Sequence, residues 1–506
     1  MSTELFGTDG IRSRAGEFPL NSHAVAAIGQ AIGEKLNGKI LVGQDTRMSS
    51  PWIFEFLKQG ISRTSGIIQE AGVIPTPAIA LLTKWLGYSG GVMISASHNP
   101  YEDNGIKVFA SDGTKLSEED EEEIEKRVSE LLRSDKQHEH TDRVPDRQIS
   151  AANSTGWGER YQEILISHFP QGAWLAGLRI VLDCANGAMS EIAPGLLRRL
   201  GAEITVTHAS PNGTNINAAC GAVHLESLTE TMKSHSADFG VAFDGDGDRS
   251  LFVSGNGRLI DGDPVLLTMA RRLRRSGQLN PAVVVGTLMT NFSLERMLSA
   301  EEIALTRVSV GDRFIFEEMS RSGAQLGGEP SGHIIFSDFR LSGDGLFTTL
   351  KLAEAIVSDH ASLDVLTRDW AEAPQLLKNL RVKQKVPLET LPAVQEKMTE
   401  VNQELQGCGR LVVRYSGTEP LLRVMIESDD AARNDRLMAE LPYRAPEQTD
   451  PAASVVDPGG RFHDLDNLFA CDGGVFPTAS GYNPTLTIIA VALKIAHGIA
   501  GTAPGG

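Results

Sequence analysis

The strongest constraint in this sequence is a rhythm. Short apolar runs with strand character alternate with helical stretches, and the alternation occurs three times. In the first round "HAVAAIGQAIGEKL" and "SSPWIFEFLKQGISRTSG" have helical spacing around the strand-like "KILVGQD" and "GGVMISAS". The second round holds "LRIVLDCANG", "GAEITVTHAS" and "ADFGVAFDGDGDR"; the third holds "AVVVGTLMTN", "IALTRVSVGDR" and "AQLGGEPSGHIIF". Strands that alternate with helices imply largely parallel α/β sheets. Three similar α/β units in series are therefore predicted. Beyond residue 370 the texture changes: "LRVKQKVP", "GRLVVRYSGTEP" and "LLRVMIES" read as strands around one helix, "LETLPAVQEKMTEVNQEL". A smaller α+β domain fits that stretch. The predicted boundaries are 1–152, 153–256, 257–370 and 371–440, with a further segment at 441–506 and a linker in "DRQISAANSTGWG". At 506 residues the chain has room for this many cores.

Composition excludes several classes. With 41% hydrophobic and 22% charged residues the chain reads as globular rather than disordered. A net charge of -18 argues against a general nucleic-acid binder, which needs a basic face for phosphates, but a local arginine cluster can still hold an anionic substrate. Cys184, Cys220, Cys408 and Cys471 form no CxxC and read as free thiols of a reducing compartment. "MSTELFGTDGIR" carries no leader pattern, and "TLTIIAVALKIAHGIAG" is interrupted by Lys494 and His497. The expectation is a cytoplasmic protein with no membrane partner. The acidic helix "SEEDEEEIEKRVSELL" reads as a solvated face.

Four segments carry chemistry. In "GGVMISASHNPYEDNGIKVF" an apolar strand breaks into Ser95, Ser97, His98 and Asn99, at the strand end where α/β sheets bind ligands. In "FDGDGDRS" alternate positions hold Asp244, Asp246 and Asp248 after another strand. Three carboxylates on one face repel unless a cation sits between them, and few ligands with open positions suit Mg2+ on a phosphate. An EF-hand loop is excluded, because its sixth position is Arg249 instead of glycine and its twelfth is Gly255 instead of glutamate. In "GGEPSGHIIF" Glu329 and Ser331 can read sugar hydroxyls, with His333 beside them. In "RYSGTEPLLRV" Arg414 and Arg423 flank Ser416, Gly417 and Thr418, a set suited to a phosphate clamp. The combination suggests phosphoryl transfer on a phosphorylated polyol. No G-x-S-x-G elbow and no nucleotide P-loop is present, so a phosphoserine donor is favoured over ATP.

"SASHNP", "DGDGDR", "GEPSGH" and "RYSGTEPLLRV" resemble the four signature motifs of the α-D-phosphohexomutases, in the family's order. "LFGTDGIR", "NINAACGAVHLESL", "GTLMTN" and "RVSVGDR" are similar to the family's bacterial phosphoglucosamine branch, although Pro330 stands where glutamine is frequent there. The resemblance spans residues 4 to 435. It implies four domains around a central cleft and a phosphoryl group on Ser97. Asp244, Asp246 and Asp248 would hold Mg2+ with that group, and a hexose 1,6-bisphosphate would be intermediate and activator. The substrate it implies is a phosphorylated hexosamine; the same chemistry on mannose or glucose phosphates, and an inactive mutase-like binding protein, are the alternatives. Arg12, Lys107 and Arg249 would offset charge, while Lys107 and His333 are the candidates for moving protons. Glu329, Ser331, Arg414, Ser416, Gly417, Thr418 and Arg423 would bind substrate. His98 and Asn99 would orient the serine loop, with Ser95 structural.

The end of the chain departs from this pattern. The last mutase-like helix is cut short near "RNDRLMAEL". The following "SVVDPGGRFHDLDNLFACDGGVFPTASGYNPTLTIIAVALKIAHGIAG" resembles the C-terminal end of a glucose–methanol–choline oxidoreductase, with Asp472 and "SGYNPTLT" at flavin-facing positions and Asn483 at a catalytic one. The parts that would bind FAD are missing, so no flavin is expected and the tail reads as a fused remnant. Its apolar stretch needs burial, against the fourth domain or in a homo-oligomer.

Overall fold

The computed structural model describes residues 5–7, 9–134, 156–337, 342–382, 384–416 and 420–441. The linker near 150 and the oxidoreductase-like tail lie outside the described residues. The chain divides into two compact units, one through Glu372 and the other from Ala373.

The first unit contains three sheets with one plan. In each, a central strand has parallel neighbours on both sides, and the later neighbour is followed by an antiparallel return strand. The central strands are Lys39–Gln44, Arg179–Asp183 and Val283–Thr287. Their later parallel neighbours are Gly90–Ile94, Phe239–Phe243 and Leu326–Gly328. The return strands are Asp103–Ala110, Ser250–Ser254 and Ile334–Phe336. The sheets are therefore mixed rather than largely parallel. The cause is loop length: the connections 95–102, 244–249 and 329–333 are too short for a parallel crossover of a dozen or more residues.

This plan positions the chemistry. The serine, aspartate and Glu329 loops are the same hairpin connection in three successive sheets. Each leaves a buried strand: Gly90–Ile94, Phe239–Phe243 and Leu326–Gly328 have no exposed residue. Val92, Met93, Ile94, Phe239 and Phe243 are sealed in the cores, so the loops spring from rigid supports.

Helices cover the sheets. Ser22–Leu36 starts at Asn21, whose side chain accepts from the amide of Ala24. The acidic helix Glu118–Ser134 buries only Ile124 and Val128, with Glu118, Glu119, Asp120 and Glu121 at its N-terminal, partially positive end. The helix Gly345–Asp359 is capped by Asp344. Cys184 and Cys220 are buried free thiols; burial, then the charge of Asp183, pushes the Cys220 thiol up to about 12.

The second unit has an antiparallel three-stranded sheet, ordered Gln375–Arg381, Leu421–Ser428, Gly409–Tyr415. Val424 and Ile426 pack with Val401 and Leu405 of the helix Pro392–Leu405 and with Leu437 and Met438 of the helix Ala431–Glu440. No helix among the described residues is long and apolar enough to cross a membrane.

Candidate active site

Ser97 is buried and has a φ of 51°, in the left-handed region. A non-glycine residue stays there only where its surroundings hold it. Its amide donates to Ser95 Oγ at 3.0 Å, and Ser95 Oγ donates to Asp45 Oδ2 at 2.6 Å. Ser95 is thus a structural prop for Ser97. Ser97 Oγ donates to Asp244 Oδ2 at 2.5 Å, linking the first sheet's loop to the second's. The glycines of "DGDGDR" make that approach sterically allowed: a Cβ on Gly245 would lie 2.6 Å from Ser97 O, and Gly247 has a φ of +72°.

Asp244, Asp246 and Asp248 converge, with one ligand oxygen from each within 4.8 Å of the others. Asp246 Oδ2 accepts from Thr76 Oγ1 at 2.5 Å and Lys107 Nζ at 2.9 Å. Asp246 Oδ1 and Asp248 Oδ1 are buried without a hydrogen-bond partner. Burying carboxylate oxygens unsatisfied is costly, and a hard cation removes that cost. The all-oxygen donor set therefore fits a divalent cation bound beside Ser97. Burial, with the charges of Asp248 and Asp246, holds the Asp244 carboxyl well above the usual carboxylate range.

Four cationic side chains balance these acids. Burial opposes the charge of Lys107, but Asp246, Asp9 at 3.0 Å and Asp248 hold it firmly protonated. Asp9 also pairs with Arg12 and with Lys115, the latter at 2.6 Å. Arg12 reaches Asn99 Oδ1 at 3.3 Å. Arg249 donates its backbone N–H to Asp244 Oδ1 at 3.2 Å and lies 3.1 Å from His98 Nδ1. Burial and the neighbouring Arg249 and Arg12 lower the His98 pKa to about 4, so its ring is a neutral acceptor for Arg249 and a poor base near neutrality.

In the third loop Glu329 Oε1 accepts from the amide of Gly311 at 3.1 Å and Oε2 from Ser331 Oγ at 3.2 Å. His333 is buried, 3.9 Å from Asp248 Oδ2, and its Nε2 accepts from the Gly343 amide at 2.9 Å. Burial works against protonation of His333, but Asp248, Asp312 and Glu329 raise its pKa. The Gly343 contact requires an unprotonated Nε2, so in this arrangement the ring proton sits on Nδ1. A Cβ on Gly343 would lie 2.6 Å from the imidazole, so glycine is needed there.

Ser97, the three aspartates, Arg12, Lys107, Arg249 and His333 thus form one connected network, with the Glu329–Ser331 loop against it. Sequence reasoning passed over Asp9, Asp45, Arg47 and Asn217. Asp9 lies inside the quoted "GTDGIR", and Asp45 and Arg47 form a D-x-R in "GQDTRMSS". Loop orientation comes mainly from Arg47; Asn99 contributes through Arg12 and Asp103, while His98 serves Arg249.

In the second unit Arg414 and Arg423 stand directly opposite on antiparallel strands. Like charges so placed repel. Burial and the charge of Arg423 lower the Arg414 pKa, and a bound anion would offset the repulsion. Ser416 is buried and its carbonyl accepts from Lys385 Nζ at 2.6 Å. Gly417 and Thr418 lie outside the described residues.

Family models describe the same series of domains. Those for phosphoglucomutase/phosphomannomutase α/β/α domains I, II and III match residues 3–134, 159–257 and 261–373, and the C-terminal domain model matches 377–441. A GMC oxidoreductase model matches 448–492. The phosphoglucosamine mutase of Solibacter usitatus is 43% identical over 432 residues, covering 84% of this chain and 95% of its own. That of Gluconacetobacter diazotrophicus is 44% identical over 442 residues, covering 86% and 96%. Among solved structures, a phosphoglucomutase/phosphomannomutase family protein of Burkholderia thailandensis matches with a TM-score of 0.69 at 20% identity, over 87% of this chain and 96% of that one. The Aspergillus fumigatus N-acetylphosphoglucosamine mutase, in complex with GlcNAc-6P and magnesium, matches at 0.59 and 18% identity, over 86% and 94%. Together with the four motif loops, these likenesses show that the chain belongs to the phosphoglucomutase/phosphomannomutase family, with the bacterial phosphoglucosamine mutases.

Proposed function

We propose that the chain interconverts glucosamine 6-phosphate and glucosamine 1-phosphate for amino-sugar synthesis in the cytoplasm. The observation that carries this reading is Ser97 Oγ, buried and 2.5 Å from Asp244 beside two further aspartates. Asp244, Asp246 and Asp248, with an oxygen of a Ser97 phosphoryl group, would hold Mg2+. When bound, Mg2+ supplies positive charge to the phosphoryl oxygens.

In the forward half-reaction the sugar O1 attacks the phosphorus of phospho-Ser97. The P–O bond to Ser97 breaks and a bond to O1 forms, giving the 1,6-bisphosphate. The intermediate turns over, O6 loses its phosphoryl group to Ser97, and glucosamine 1-phosphate leaves. Lys107 and Arg249 offset charge on the moving group. The sugar hydroxyl's proton must leave and Ser97 must regain one; Lys107 and His333 are the groups we assign to this traffic. Glu329 and Ser331 hold sugar hydroxyls. Arg414, Ser416, Gly417, Thr418 and Arg423 grip the unreacting phosphate. We take the domains to run 1–152, 153–256, 257–370 and 371–440, and the tail from 441 as a fused remnant that binds no flavin.

The test is turnover of the full chain with Mg2+ and a trace of hexose 1,6-bisphosphate on glucosamine 6-phosphate, glucose 1-phosphate and mannose 1-phosphate. Preference for the glucosamine phosphate, lost in Ser97→Ala, is expected. Preference for another hexose phosphate would reassign the substrate, and near-normal turnover by Ser97→Ala would remove the phosphoserine mechanism.

A further inference from the structure

Ser97 could not keep its left-handed backbone alone, and two side chains remote in sequence converge on its carbonyl. Arg47 is fully buried and spends all five of its N–H donors at once. Nε meets Asp45 Oδ2 at 2.8 Å. One terminal nitrogen meets the carbonyls of Pro100 and of Asp103, the latter at 2.9 Å. The other meets the carbonyls of Ser97 and Asn99, each at 2.9 Å. Asn217, on the second sheet's domain, donates its amide to the same two carbonyls, at 2.9 Å to Ser97 and 3.1 Å to Asn99. Asp45 completes the frame, because the Ser95 hydroxyl that receives the Ser97 amide donates to it. The Ser97 carbonyl is therefore held directly from outside the loop, and its amide indirectly, through Ser95 and Asp45.

We propose that Arg47 and Asn217 are positioning residues that hold Ser97 in its reactive posture. Through Asn217, that posture depends on the seating of the second domain against the first. The inference rests on the reading of Ser97 as the phosphoryl carrier. Two neighbouring contacts bind the same seam: Thr46 Oγ1 donates to the Asn186 carbonyl at 2.6 Å, and the Met48 amide to the Gly213 carbonyl at 2.8 Å. Asn217 is itself left-handed, with a φ of 57°, a conformation that asparagine tolerates better than most residues and glycine better still. That makes Asn217→Gly a clean probe: the backbone conformation is kept and only the amide is lost. Lysine at position 47 can keep the charge beside Asp45 but cannot reproduce the planar fork on the carbonyls.

The experiment uses the full chain with Mg2+ and hexose 1,6-bisphosphate, and measures kcat, KM and the single-turnover rate of transfer from phospho-Ser97. A small displacement of a reacting atom costs up to about a hundredfold in rate, so kcat and the transfer rate should fall at least about tenfold in Asn217→Gly and further in Arg47→Lys. KM for the sugar phosphate should stay within about twofold, and the unfolding midpoint of Asn217→Gly close to that of the unaltered chain. Unchanged kcat in both variants, a loss confined to KM, or unfolding of Asn217→Gly would each overturn the inference. An unaltered chain inactive on every sugar phosphate would overturn the functional reading instead.

Discussion

Asp344→Asn is expected to change stability little in acid and to stabilise the protein above neutrality. Asp344 is almost fully buried at the start of the helix Gly345–Asp359. Its Oδ1 accepts from the amides of Leu346 and Phe347 at 3.0 and 2.9 Å, and its Oδ2 from Tyr161 Oη at 2.8 Å. Burial outweighs these donors and raises its pKa to about 6, from an ordinary 3.8. An acid whose pKa is higher in the fold binds its proton more tightly there. Its contribution is therefore fully present below pH 3.8 and is lost as pH rises through about 6. At about 1.4 kcal/mol per pKa unit the loss is about 0.5 kcal/mol at pH 4 and about 3 kcal/mol at pH 8. Asparagine keeps the Oδ1 acceptor and turns an N–H toward Tyr161 Oη, which can accept it. The attraction of the ionised carboxylate to the helix-start amides is already contained in its pKa of about 6. The gain is then up to about 3 kcal/mol at pH 8 against about 0.5 kcal/mol at pH 4. Thermal unfolding of both chains between pH 4 and pH 8, in chelator, reads the difference. A variant less stable at pH 8, or a difference that ignores pH, would refute the assignment of a buried, reluctant carboxylate.

Three further outcomes test other parts of the molecule. Asp246→Asn removes a charge held between Thr76 and Lys107, and should raise the Mg2+ concentration for half-maximal turnover at least about tenfold; an unchanged Mg2+ titration would exclude Asp246 as a ligand. Arg423→Ala should raise KM for sugar phosphates by about ten- to a hundredfold, the worth of a charge-assisted hydrogen bond, while kcat changes less; an effect on kcat alone would place Arg423 outside the clamp. The purified full chain should be colourless, and a stoichiometric flavin absorption band would show that residues 448–492 retain a binding role.

The local chemistry was legible because each motif fills one loop. An apolar strand followed by small or acidic residues identifies "SASHNP", "DGDGDR" and "GEPSGH" without any tertiary information. Their equivalence as one hairpin in three sheets was not legible, because strand direction depends on which neighbour the chain returns beside. Arg47 and Asn217 left no local signal either. They act on backbone carbonyls 50 and 120 residues away, and a carbonyl has no sequence signature. The setting of Lys107 was hidden for a related reason. Its sequence neighbourhood, "NGIKV", contains no acid, whereas the fold surrounds it with Asp9, Asp246 and Asp248.

The charge pattern carries one more consequence for ligand binding. Asp9, Asp244, Asp246, Asp248 and Asp312 interlock with Arg12, Lys107, Lys115 and Arg249, so five acids nearly offset by four bases face each other before any ligand arrives. A divalent cation alone would leave this poorly solvated set with excess positive charge, and a phosphoryl dianion alone with excess negative charge. Together they restore the balance, and burial makes any imbalance costly. Mg2+ should therefore bind the phosphorylated chain more tightly than the unphosphorylated one, by at least about tenfold, a modest coupling of about 1.4 kcal/mol. Calorimetric titration of Mg2+ into chain phosphorylated on Ser97, and into the same chain after phosphatase treatment, measures the difference directly. Linkage is reciprocal for binding free energies and not for rates of hydrolysis or exchange, so the binding ratio is the decisive quantity. Equal affinities would mean that Lys107 withdraws from Asp246 and Asp248 to accommodate the cation, and that the network compensates by moving rather than by pairing its ligands.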